Sequence, residues 1–109
     1  MAPSGRPNIL FLIPDQHRWD FMETPPGLPV RMPNVEALAA RGMRFNQAIV
    51  NSPLCAPSRA CLASTRNYHR TGVEDNFQDY PLDLPTFYQA LRAAGYRTGG
   101  VGKFDLHKN

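Results

Sequence analysis

The apolar positions of this chain fall into three runs separated by short helical patterns and proline-rich stretches. Asn8-Ile9-Leu10-Phe11-Leu12-Ile13 is apolar without a break after its first residue and stops at Pro14. Continuous rather than alternating hydrophobicity predicts a strand buried on both faces, as in a parallel sheet with helices on either side. Residues 43–50, with Phe45, Ala48 and Ile49 as apolar content, predict a second strand. Residues 96–101 predict a third, which Gly99-Gly100 weakens. Residues 33–42 read as a helix with Pro33 in its first turn, Val35 and Leu38 on one face and Gly42 at its end. A second short helix is expected over 58–63, behind Pro57. A third is expected over 85–94, with Phe87, Tyr88 and Leu91 on one side and Gly95 closing it. Residues 14–32 form a polar, proline-rich loop in this reading, 51–57 form another, and 64–83 show no convincing period.

Strand, helix, strand, helix, helix, strand is α/β alternation, and the expected fold is a mostly parallel sheet flanked by helices. Ligands in such folds sit beyond the carboxyl ends of the strands. Asp15, Cys55 and Lys103 each fall just past an apolar run or in the loop after it, so one rim would gather three reactive side chains. Three strands and a few short helices cover a parallel sheet poorly. The whole of residues 1–109 therefore reads as the N-terminal portion of a larger, here incomplete, α/β domain, marginally stable and inactive by itself.

Composition narrows the function classes. Of 109 residues, 42% are hydrophobic and 19% charged, and 12 Lys+Arg against 9 Asp+Glu give a net charge of +3. That balance excludes intrinsic disorder, and a weak, scattered positive charge gives no footprint for nucleic acid and little for acidic surfaces. The longest apolar run is far shorter than the ~20 residues of a membrane-crossing helix. It also makes a poor signal peptide, which points to the cytoplasm. Two cysteines cannot make a disulfide framework. Eleven prolines are about 10% of the chain, twice the usual ~5%, and their spread suggests ordered loops around a site.

Several residues could carry chemistry. Cys55, in Leu54-Cys55-Ala56-Pro57-Ser58-Arg59, is either a buried structural thiol or a reactive one. A helix N-terminus and a guanidinium four residues away would favour a thiolate or an anionic ligand there. Cys61, about 240° further round a helix, points away from Cys55 and reads as a small core residue. Asp15-Gln16 is most simply a turn after the strand; its two oxygens also suit a hard cation such as Ca²⁺ or Mg²⁺. His17, His69 and His107 lack any metal-ligand spacing, and Arg66 and Arg70 read as exposed. Lys103 is an anion binder at a strand end or a solvated side chain.

Cys55-Ala56-Pro57-Ser58-Arg59 with Leu62 resembles the signature of the type I sulfatases, within the alkaline phosphatase superfamily. Four further segments are similar in the same order. They are Pro7-Asn8-Ile9-Leu10-Phe11 leading to Asp15-Gln16, and Pro33-Asn34-Val35 through Ser52-Pro53. The others are His69-Arg70-Thr71-Gly72, and Gly95-Tyr96-Arg97-Thr98 with Val101-Gly102-Lys103. Five collinear segments outweigh any single short motif. The resemblance implies an alkaline-phosphatase-like α/β fold and hydrolysis of sulfate esters. It also implies oxidation of Cys55 to formylglycine by a formylglycine-generating enzyme that recognises Pro57 and Arg59. One hydroxyl of the hydrated aldehyde would attack sulfur, and loss of the other's proton would expel sulfate. Asp15, Gln16 and the matured Cys55 would hold Ca²⁺ or Mg²⁺, while Arg59 and Lys103 offset charge on the diol and sulfate oxygens.

Two departures stand out. Where the family has an apolar residue, Thr and Gly after Leu62, this chain has Ala63-Ser64-Thr65. Where it has a sulfate-binding His two residues past the Lys, this chain has Asp105, with His107 two further on as the candidate substitute. The same site type can attack phosphorus, so phosphonate or phosphate ester hydrolysis is the enzymatic alternative. A non-catalytic sulfatase-like chain is the other.

Overall fold

The computed structural model describes residues 5–21 and 30–107. Pro25, Pro26 and Pro29 of the expected 14–32 loop lie outside the described residues. The chain divides into two compact units, Met1–Asn46 and Gln47–Asn109.

In the first unit the apolar run 8–13 leads into a turn at Asp15-Gln16, with Gln16 at a φ of 54°. A 3-10 turn follows at Trp19–Phe21. The helix α1, Pro33–Ala40, starts on proline, whose missing N–H costs nothing in a first turn. It closes where the Arg41 and Gly42 amides donate to the Leu38 and Ala39 carbonyls, at 3.1 and 3.2 Å. None of its residues is buried.

The second unit is organised around the helix α2, Cys55–Ser64. It starts three residues before the expected 58–63 helix, and so takes in residues assigned above to the 51–57 loop. Pro57 fits because the first amides of a helix have no internal acceptor, so a residue without an N–H is tolerated there. Ala56, Ala60 and Ala63 line one face and pack with Val73 and Tyr80, against which Leu84, Tyr88 and Leu106 also lie. Alanine at i, i+4 and i+7 lets the chain approach the helix closely on that side. The stretch without a period thus supplies much of the core: Thr71, Val73 and Tyr80 are buried. Tyr80 ties it to later residues, its amide donating to Leu106 O at 2.7 Å and its hydroxyl to Pro85 O at 3.1 Å. The third helix, α3 at Phe87–Ala93, begins two residues later than expected, on a reciprocal cap between Thr86 and Gln89. It ends at Gly95, whose φ of 84° suits glycine. Both α3 and a 3-10 turn at Tyr68–Arg70 contact α2.

The three expected strands are corrected by the structure. Among the described residues there is no strand. The runs are exposed rather than doubly buried: Leu10 is 83% exposed, Ile49 91% and Val101 99%. A strand has no hydrogen bonds within itself and persists only beside a partner strand, and none is formed among the described residues. Helices close their bonds locally, and all three expected helices are present. No helix among the described residues is long and apolar enough to cross a membrane.

Candidate active site

Cys55 is the first residue of α2 and is partly exposed. The preceding Leu54 is extended, with φ −88° and ψ 148°, and cannot cap with its side chain. Ser52 Oγ instead accepts from the Leu54 amide at 3.3 Å and fixes the entry to the helix. The Ala56 amide donates to the side-chain oxygen of Asn76 at 2.9 Å, twenty residues downstream. Ser58 N to Leu54 O, at 3.0 Å, is the first bond of the helix.

Arg59 lies four residues, about one turn, beyond Cys55 and therefore on the same face. Its Nη1 donates to the carbonyl of Lys103 at 2.5 Å, which draws the 102–105 segment onto the start of α2. Lys103 Nζ stands 3.9 Å from Asp105 Oδ2. Asp105 has a φ of 57°, a backbone turn that brings its carboxylate back toward the lysine. The second unit thus joins Cys55, Arg59 and Lys103 through one helix and one clamp. His107 is exposed and has no hydrogen bond or ion pair to them among the described residues. Asp15 and Gln16 stand in their turn in the first unit.

The two thiols separate as expected. Cys61 is 5% exposed, and burial pushes its thiol pKa up, opposed by a backbone hydrogen bond. Only Cys55 is reachable from outside. At the far end of α2, Thr65 is left-handed, at φ 56° and ψ 31°. It is the very position where the resemblance leads one to expect glycine. The Arg66 amide still closes onto Cys61 O at 3.2 Å, so the helix ends in a glycine-type cap built on a β-branched residue. Asn76 is the residue that the sequence reading missed. A helix entered from leucine, with no local cap, signals that some remote acceptor must serve its first turn.

Cys55 is thus a partly exposed cysteine that opens a helix, with Arg59 one turn on holding the lysine segment. The sulfatase family model matches residues 7–109, and the chain belongs to the sulfatase family. It is 40% identical over 100 residues to a choline-sulfatase of Rhizobium meliloti (strain 1021), covering 92% of this chain and 20% of that protein. It is 36% identical over 101 residues to an N-acetylglucosamine-6-O-sulfatase of Bacteroides thetaiotaomicron, covering 93% of this chain and 18% of the relative. Human arylsulfatase K is 31% identical over 99 residues, 91% of this chain and 18% of its own. The chain thus spans about a fifth of the length of these relatives. No solved structure matches it.

Proposed function

We propose that this chain carries the nucleophile and part of the anion-binding apparatus of a sulfuric ester hydrolase. The observation that supports it most is the helix-opening Cys55 with Arg59 one turn away and the Lys103 carbonyl bound to that guanidinium. Cys55 is the position for formylglycine, made by a formylglycine-generating enzyme that meets the Pro57 and Arg59 context. Hydrated, that aldehyde supplies an oxygen nucleophile and a second hydroxyl from which the aldehyde is regenerated.

The residues of the chain would act around it as follows. Arg59, fixed at one nitrogen by the Lys103 carbonyl, presents a guanidinium that offsets charge on the nucleophile and on the sulfate oxygens. Lys103, paired at 3.9 Å with Asp105, supplies a cation for the sulfate or for the leaving oxygen. Asp105 occupies the place of the family's histidine, and the exposed His107 is proposed as the proton donor to the leaving group. Asp15 and Gln16 offer oxygen donors only, which fits Ca²⁺ or Mg²⁺ rather than Zn²⁺. Among the described residues no group of three or more His, Cys, Asp or Glu could hold a metal, so these two are part of a ligand set and do not complete one. When bound, the cation would acidify the nucleophile and polarise the sulfate.

The test is made on the full-length protein co-expressed with a maturing enzyme. Mass spectrometry of the tryptic peptide 45–59 is expected to show an aldehyde in place of the Cys55 thiol. An aryl sulfate should turn over, and Cys55→Ala should reduce the rate to background. An unmodified thiol, or turnover that survives Cys55→Ala, rejects the proposal. A phosphonate ester assayed in parallel separates sulfur from phosphorus chemistry.

A further inference from the structure

We infer that Asn76 is a positioning residue for the nucleophile at position 55, acting through the amide of Ala56. The inference rests on the reading of Cys55 just given.

The argument starts from a deficit in the sequence. A helix that begins at Cys55 has first-turn amides without helical acceptors, and Leu54 provides no side-chain cap. Pro57 removes one of those donors, because it has no N–H. The Ala56 donor remains, in a residue only 1% exposed, where an unpaired amide is costly. Asn76 Oδ1 accepts from it at 2.9 Å. The acceptor is the amide oxygen because its partner is a donor.

Asn76 is itself held by an ordered loop. Asp75 Oδ1 accepts from the Phe77 and Gln78 amides at 2.8 and 3.1 Å. Gln78 Oε1 accepts from the Glu74 and Asp75 amides. Tyr68 donates its hydroxyl to Glu74 O at 3.0 Å, and the buried Val73 anchors the loop to the core beside Ala56 and Ala60. The cap is therefore prearranged, and it bears on the peptide that directly follows Cys55. Loss of the bond would let the first turn of α2 fray, and the side chain at 55 would lose its fixed direction relative to Arg59. Small errors in the direction of a nucleophile reduce rate far more than they reduce binding.

Asn76→Ala and Asn76→Asp in the matured full-length protein separate this role from a merely structural one. Asp keeps an acceptor of the same shape, and its charge is favourable at a helix N-terminus. Any repulsion of an anionic substrate by Asp appears in KM, whereas nucleophile position appears in kcat. Rates are expressed per formylglycine, so that misfolded or unmatured protein is not counted. Asn76→Ala is expected to lower kcat about tenfold with KM within about twofold, and to speed hydrogen exchange of the Ala56 amide about tenfold. Asn76→Asp is expected to keep kcat within about threefold of the parent. A parental kcat in Asn76→Ala, unchanged Ala56 exchange, or a tenfold loss in Asn76→Asp overturns the inference. If the parent protein itself shows no turnover, the proposed function fails. Alkylation of Cys55 by iodoacetamide in the unmatured protein then decides this inference. Equal rates in the parent and Asn76→Ala overturn it, and a rate altered by about threefold or more supports it.

Discussion

The two units of the chain hold comparable helices but differ in what those helices bury. In Met1–Asn46, α1 is entered on proline and closed by local amides, yet no residue of it is buried and the run 8–13 is exposed along its length. In Gln47–Asn109, α2 buries Ala56, Pro57, Ala60, Cys61, Ala63 and Ser64. Turns from 68 to 80 lay Val73 and Tyr80 against that face. Good local signals make a helix in either unit; side chains from distant positions on one of its faces make a core in only one. The motif residues Cys55 and Arg59 stand on the helix that has that support.

The largest effect expected from this contrast is in packing. Ala60, on the buried face of α2, has no exposed surface and packs in the cluster that includes Val73. Ala60→Leu should therefore destabilise the second unit by about 1–3 kcal/mol through overpacking. Leu10→Asn in the exposed run should change stability by less than about 0.5 kcal/mol. Urea unfolding followed by hydrogen exchange, unit by unit, checks both. Equal effects would mean that the run 8–13 is as buried as the sequence pattern suggests, and the contrast would be lost.

The same contrast explains what was legible beforehand. The three helices announce themselves within a few residues: Pro33 with Gly42, Pro57 just ahead of 58–63, and Phe87, Tyr88 and Leu91 with Gly95. The cysteine–arginine spacing of four likewise puts two site residues on one face without any knowledge of the rest. What lies between 64 and 83 has no period because its core contribution comes from separate residues, Thr71, Val73 and Tyr80, each set by its own turn. The bonds from Arg59 to Lys103 and from Ala56 to Asn76 cross 44 and 20 positions, beyond any local pattern. Strand pairing is non-local in the same sense. The runs 8–13, 43–50 and 96–101 carry the hydrophobicity of strands, yet no strand is formed among the described residues. The turn at Asp15-Gln16 is legible from a proline followed by an Asp, whereas its role toward a cation is not.

A smaller effect is expected at the far end of α2. Thr65 holds a left-handed conformation that costs a β-branched residue roughly 1–2 kcal/mol relative to glycine. Thr65→Gly should stabilise the second unit by about 1 kcal/mol, after allowing for the extra freedom of glycine in the unfolded chain. The urea midpoint should rise with an unchanged slope. A loss of stability would show that the bond from Thr65 Oγ1 to Ser64 O, at 2.7 Å, outweighs the strain. The same substitution in the first unit has no counterpart, because α1 ends at Arg41 with a φ of −102°.

The smallest effect is a pH dependence confined to the second unit. Burial raises the Cys61 thiol above its ordinary 9.0 and the Tyr80 phenol above its ordinary 10.0. For the phenol the nearby Ser64 side chain and the charge of Arg66 act the other way, and Tyr88 adds to the rise. In both cases the folded state prefers the protonated, neutral form, while the unfolded chain ionises first. Their contribution to stability is therefore fully present below pH 9 and is lost as pH rises through the folded pKa values. The urea midpoint of the second unit should be flat from pH 7 to 9 and fall above it. Cys61→Ala lowers the midpoint at every pH by leaving a small cavity, so the slope rather than the level is the readout. In that variant the fall should begin later, near pH 10, where Tyr80 alone remains. A fall that begins at the same pH in both proteins would mean that the Cys61 thiol is not held neutral by the packing around α2. The helix face opposite the nucleophile would then be no better sealed than the exposed run of the first unit.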